Sequence, residues 1–215
     1  MGRTSRAEAA RHREEVVAAT SRLLRERGAA GMSVQDLMGA AGLTHGGFYK
    51  HFSSKDELLG VAATTAFGEL LALLDQFSDD LPDRSEARNA LLRHYLSPEH
   101  RDTPGTGCAN TALSADAARA PADSPLRASY AVGVEETLKR MTGIEDAPGD
   151  GPEARQRAIV DLATMVGALM LARATAQTPL SEEILQTAQD ALASPVSARG
   201  DGGGNWRSSR GDRVG

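Results

Sequence analysis

The stretch that most constrains this chain is SVQDLMGAAGLTHGGFYKHFSSKDEL, residues 33 to 58. Ser33 is placed to cap a short helix whose apolar positions Val34, Leu37, Met38 and Ala41 share one face. Gly42 then ends that helix, because glycine enters the left-handed backbone region without the usual steric cost. Thr44 is expected to cap a second helix, residues 45–51, of barely two turns. In it Phe48 and Phe52 lie one turn apart and must enter a core. Thr44, His45, Gly46, Gly47, Tyr49, Lys50 and His51 remain on the outer side. Hydroxyls, imidazoles, a cation and bare backbone are groups suited to phosphates and base edges. The run Ser54-Lys55-Asp56-Glu57 reads as a capping box that opens a long helix to about Phe77. Lys55 sits at its positive end, where orphan N–H groups favour a phosphate. Ser33, Lys55 and the seven outward residues form the candidate DNA-contacting set.

Charge distribution agrees with that reading more than net charge does. The whole chain carries −5, yet residues 1–60 hold nine Lys/Arg against seven Asp/Glu, and residues 61–215 hold fifteen against twenty-two. A basic arm, Arg3, Arg6, Arg11 and Arg13 with Glu8 alone against it, leads into the motif, where it suits phosphate contact. An acidic body follows.

Residues 42–58 resemble the operator-reading segment of the TetR/AcrR family of bacterial regulators, in which a Tyr-x-His-Phe element followed by Lys-Asp/Glu-x-Leu recurs. Residues 13–41 also fit the family's first helix and its Leu-x-x-Ala-Ala-Gly entry to the turn. The resemblance implies an all-α protein with a three-helix DNA-binding domain over residues 1–54 and a helical ligand-binding and dimerisation domain over 55–194. It also implies a homodimeric, ligand-responsive repressor on a palindromic, double-stranded operator, released by a small-molecule inducer. One departure is the pair Gly46-Gly47, each costing about 1 kcal/mol of helix propensity relative to alanine. Close backbone approach to DNA is the compensating reading, and a helix that firms up only on the operator is the other.

Along the chain, a first helix is expected from about Ala7 to Arg27, stopped by Gly28. A fourth follows the connector Asp79-Asp80-Leu81-Pro82-Asp83, with Leu91, Leu92, Tyr95 and Leu96 near one face. Residues 97–107 hold Pro98, Pro104, Gly105 and Gly107, which forbid a long regular helix. Further helices are expected from Cys108 to Ala118, Leu126 to Met141, Glu153 to Ala176, and after a Ser181 cap. A linker spans residues 143–151, and residues 195–215, glycine-rich with four arginines, have the composition of a disordered tail. The two Arg-Gly-Asp triplets in that tail read as chance composition. The stripe Ile159, Leu162, Val166 and Met170, joined by Ile184, Leu185 and Leu192, is expected to meet a second copy of the chain.

No catalytic constellation or cofactor fingerprint is present, and the histidines show no metal spacing beyond a loose His94, His100, Cys108 set. No apolar run is expected to span a membrane, and no signal stretch follows Met1, which suggests a cytoplasmic protein. The single cysteine excludes an intrachain disulfide. A ligand site is expected around Tyr95, Cys108, Tyr130, Met141 and Met165. Cys108, at a helix start after a proline and two glycines, has two readings: a small buried hydrophobe, as free cysteines commonly are, or a partly accessible thiol activated toward electrophiles. Residues 100–119 bear a weaker resemblance to electrophile-responsive members of the same family. Two alternatives stay open: an enzyme using the Cys108 thiol, and a non-specific DNA-binding protein.

Overall fold

The computed structural model describes residues 6–81, 83–144 and 151–193. These contain nine α-helices, two 3-10 stretches and no strand. The expected tail and most of the expected 143–151 linker lie outside the described residues.

Helix α1 (Arg6–Arg27) buries Val16, Val17, Leu23 and Leu24 and ends at Gly28, whose φ of +73° is the left-handed stop. Helix α2 (Val34–Ala40) begins with a complete capping box, Ser33 exchanging hydrogen bonds with Asp36. Gly42, at φ +70°, turns the chain into a 3-10 stretch, His45–Lys50. Helix α3 (Lys55–Asp80) is the central rod. Its cap differs in detail from the expected box. Ser54 accepts from the Glu57 N–H, but the Glu57 carboxylate reaches back to the N–H and hydroxyl of Ser53. Those hydrogen bonds hold the Glu57 carboxyl below the usual carboxylate range.

The body adds α4 (Arg84–Tyr95), α5 (Pro98–Asp102), a 3-10 turn Pro104–Thr106, α6 (Ala109–Arg119), α7 (Pro125–Ile144), α8 (Pro152–Ala174) and α9 (Pro179–Ala193). Helices α3 and α7 approach closely at two glycines. A Cβ on Gly60 would stand 2.5 Å from Pro125 Cβ, and one on Gly133 would enter the Phe67 ring. Phe67 in turn packs edge-on to Tyr130. Arg88 of α4 binds Asp161 of α8 and the Leu192 carbonyl of α9, a buried tie across three helices. One continuous apolar core runs from Val16 to Leu192.

Two expectations are corrected here. Ser181 does not cap α9, which starts two residues earlier at Pro179, a residue suited to a helix's first position. Ser181 is buried instead, its hydroxyl donating to the Ala172 carbonyl and accepting from Arg101. Also, α3 is long and apolar enough to cross a membrane by length and composition. Half of that window is buried inside the protomer, as befits a central core helix.

Candidate nucleic-acid interface and ligand cavity

Residues 33–54, the candidate reading head, are anchored from beneath. Phe48 is fully buried and Phe52 nearly so, their rings 5.7 Å apart. Arg13, expected to serve phosphate, places its guanidinium 5.0 Å over the Phe52 ring, a cation–π contact that fastens α1 to the motif. Tyr49, 71% exposed, stands on the Phe48 ring edge-on with centroids 5.1 Å apart. Lys50, Thr44, His45 and Gly46 are exposed, while Gly47 and His51 are half-buried. A groove of about 180 Å³ passes beside them, lined by His12, Thr44, Gly47, Lys50 and His51. His12, half-buried on α1, is brought to this groove only by the fold.

Three details depart from expectation. Thr44 makes no side-chain cap, and residues 45–50 wind as a 3-10 helix rather than a two-turn α-helix. The Gly46-Gly47 pair supplies little propensity to hold a longer helix. Lys55 is half-buried and donates to the Ala29 carbonyl at 3.2 Å, so its ammonium braces the α1–α2 loop instead of standing free. The Ser33 hydroxyl, though exposed, is engaged with Asp36.

Where the head meets the body, side chains from distant parts of the chain hold it. Asp116 of α6 accepts the Ala29 N–H at 3.0 Å, so one residue, Ala29, is gripped at its N–H by Asp116 and at its carbonyl by Lys55. Arg25 of α1, buried, pairs with Glu69 of α3 and reaches the Gly107 carbonyl. Gly105 lies so close under α1 that a Cβ there would meet Glu26. No periodicity announces contacts 44 to 87 residues apart, and sequence reasoning missed Arg25, Glu69 and Asp116.

The expected ligand set divides. Tyr95 and Cys108 share a cavity of about 60 Å³ with Arg25, Leu73, His94 and His100. Met141 and Met165 line a separate void of about 10 Å³ with Arg88 and Asp161. Tyr130 belongs to neither; its hydroxyl donates to the Asn110 carbonyl at 3.0 Å, and burial pushes its pKa up to about 12. Cys108 is 2% exposed, which agrees with the buried-hydrophobe reading and not with partial accessibility: the loop before it packs against α1 rather than opening to solvent.

His100 completes this wall. Its Nε2 accepts the Cys108 N–H at 3.0 Å, which requires an unprotonated Nε2, so Nδ1 carries the proton and donates to the Tyr95 carbonyl at 2.8 Å. Both ring nitrogens are engaged with backbone, and neither is left to deprotonate the thiol or bind a metal. Burial lowers the His100 pKa to about 4. Among the described residues no cluster of His, Cys, Asp or Glu could hold a metal ion. The Tyr95 hydroxyl, 2.8 Å from that of Thr111, has its pKa raised, chiefly by burial.

The expected interface stripe divides as well. Leu162, Leu185 and Leu192 are buried within the protomer, because they face α4, α8 and α9 neighbours in the core, and are corrected to core residues. Ile159 and Met170 are exposed, as are the unanticipated Val160, Leu171 and Leu180. Val166 and Ile184 are half-buried between the two sets.

With this geometry in place, comparison with known proteins is informative. Residues 16–62, α1 through the start of α3, match the sequence profile described as bacterial regulatory proteins, tetR family. The repressor DhaR of Mycobacterium sp. strain GP1 is 31% identical over 96 residues, 45% of this chain and 47% of that protein. The repressor Rv3405c of Mycobacterium tuberculosis is 30% identical over 156 residues, 64% of this chain and 83% of that protein. A TetR transcriptional regulator from Chloroflexus aurantiacus superposes with a TM-score of 0.71 at 25% identity, covering 87% of this chain and 94% of that one.

Proposed function

Because the chain belongs to the TetR family of bacterial transcriptional regulators, we propose that it is a homodimeric repressor that reads a palindromic operator and is released by a small molecule. Regulators of this family bind DNA and small-molecule ligands, act as dimers, and are not enzymes. The observation that carries the reading is the geometry of residues 44–51: Phe48 and Phe52 fix the motif from within while Tyr49, Lys50, Thr44 and His45 stand in solvent. Each protomer lays this stretch in a major groove. Two-fold symmetry sets the pair about 34 Å apart, one turn of DNA. Lys55 serves this function by bracing the loop at Ala29, not by touching phosphate. The functional division falls at the Ser54 cap of α3, with reading residues before it and the body after it.

The dimer face is the exposed side of α8 and α9: Ile159, Val160, Met170, Leu171 and Leu180, flanked by Val166 and Ile184. Apolar side chains in such density on two adjacent helices are characteristic of a surface that another protein covers. The inducer acts at the cavity beside Tyr95 and Cys108, which touches α1 through Arg25. At about 60 Å³ it must expand to admit an organic molecule. An electrophile reaching Cys108 would act there as a bound inducer.

Fluorescence-anisotropy titration of DNA from the chain's own upstream region tests the function. Tight binding by the wild type, lost in Tyr49→Ala/Lys50→Ala with an unchanged thermal melt, is expected. Equal binding by the two proteins would overturn the assignment of the reading surface. Cys108→Ser should bind DNA as wild type does and ignore a maleimide that releases the wild type. An identical response of the two would remove the thiol from induction.

A further inference from the structure

A third cleft is larger than either the reading groove or the Cys108 cavity. About 400 Å³ of space lies where the head meets the body, between the Ala29–Ala30 turn and the first turn of α3 on one side and the end of α6 with the α6–α7 turn on the other. That volume falls in the range of small-molecule sites, about 300–1,000 Å³, whereas the Cys108 cavity does not. Its apolar walls come from Leu59, Ala120, Pro121 and Leu126. Lys55 and Arg119 line it too, linked through the Ala29–Asp116 contact. The Lys55 ammonium is hydrogen-bonded to a neutral carbonyl, so its charge is uncompensated at that contact. Arg119 meets the Asp116 carboxylate only at 3.5 Å, and its side chain is 72% exposed.

We propose that this head–body cleft binds a small amphipathic anion, an aromatic or aliphatic molecule carrying a single carboxylate or sulfonate. The apolar part packs on Leu59 and Leu126, and the anionic group pairs with Arg119 and Lys55. A guanidinium and an ammonium lining an apolar slot select one negative charge. Asp56, on the same rim, disfavours a second. The occupant also competes with Asp116. That carboxylate now fills the anion's place, accepting the Ala29 N–H through one oxygen and facing Arg119 through the other. A ligand taking over these partners loosens the one side-chain grip from α6 on the Ala29 peptide and so reaches the reading head without passing through the Cys108 cavity. The proposal stands on the cleft and does not depend on which DNA the head reads.

The probe is 8-anilinonaphthalene-1-sulfonate, an aromatic body with one sulfonate, titrated into the full-length protein and followed by its fluorescence. One saturable site per protomer is expected. Arg119→Glu removes the cation at an exposed position, and Ala120→Trp fills the slot. Each should weaken binding at least tenfold with an unchanged circular dichroism spectrum. Leu73→Trp, which fills the Cys108 cavity, should leave it unchanged. Asp116→Ala should tighten it several-fold by removing the competitor. Unchanged affinity in Arg119→Glu, or loss of binding in Leu73→Trp, would overturn the site. Weaker binding in Asp116→Ala would overturn the competition. Should Ala120→Trp fail to fold, Arg119→Glu decides alone.

Discussion

At the scale of single residues, Gly46 and Gly47 illustrate what a sequence tells and withholds. Their cost to helix propensity was legible, but its reason was not. Neither has a positive φ; a Cβ on Gly46 would meet nothing within 4 Å, and one on Gly47 would touch only the Met38 methyl at an ordinary 3.6 Å. The fold therefore tolerates side chains there, so packing does not account for the pair, and close approach to DNA and firming of the helix on the operator both stand. Gly46→Ala should keep or slightly raise the melting temperature while weakening operator binding. A variant that binds DNA as tightly as wild type would show that bare backbone is not needed. His100 supplies a second residue-scale prediction. Its folded pKa of about 4 lies below the ordinary histidine value of 6.5 because the ring is buried, so between those values the unfolded chain holds more protons. Stability contributed by neutral His100 is complete above pH 6.5 and is lost as pH falls toward 4, on the order of 3 kcal/mol over the window. Denaturant melts across this range should fall more steeply for wild type than for His100→Gln. Parallel curves would contradict the neutral tautomer that bridges Tyr95 and Cys108.

Among the elements, those written in local chemistry were legible. The Ser33 cap, the Gly28 and Gly42 stops, and the paired Phe48 and Phe52 follow from rules spanning three or four residues, and the structure repeats them; that Asp36 completes a capping box with Ser33 came only from the structure. What the sequence hid was chosen by packing between distant segments. Lys55 looked like a phosphate ligand because its partner, the Ala29 carbonyl, lies across a loop. Leu162, Leu185 and Leu192 lie on the same apolar stripes as exposed neighbours, and periodicity does not say which edge of a stripe is covered. The α3–α7 contact yields a sharp prediction. Gly133→Ala drives a methyl into Phe67, and overpacking of this kind typically costs about 1–3 kcal/mol. Chemical denaturation should register that loss, and wild-type stability would contradict the close approach of the two helices. Asp116→Ala orphans the Ala29 N–H, a partly buried donor, at a cost of about 1–3 kcal/mol.

For the whole molecule, the protomer is an apolar-cored bundle with a small reading head and an uncovered apolar face on α8 and α9. Val160→Glu on that exposed face should leave the protomer folded but yield monomers in sedimentation, with operator affinity reduced together with dimerisation. A wild-type monomer would remove the two-fold mechanism. The measurement that bears most directly on the central claim is the stoichiometry and sequence dependence of DNA binding by the full-length protein, read from anisotropy titrations on the upstream region and on a shuffled duplex at one salt concentration. The account predicts two protomers per site and at least a thousandfold preference for the native sequence, abolished by Tyr49→Ala/Lys50→Ala. Equal affinity for the shuffled duplex would mean that charge alone holds the DNA and that residues 44–51 do not read it.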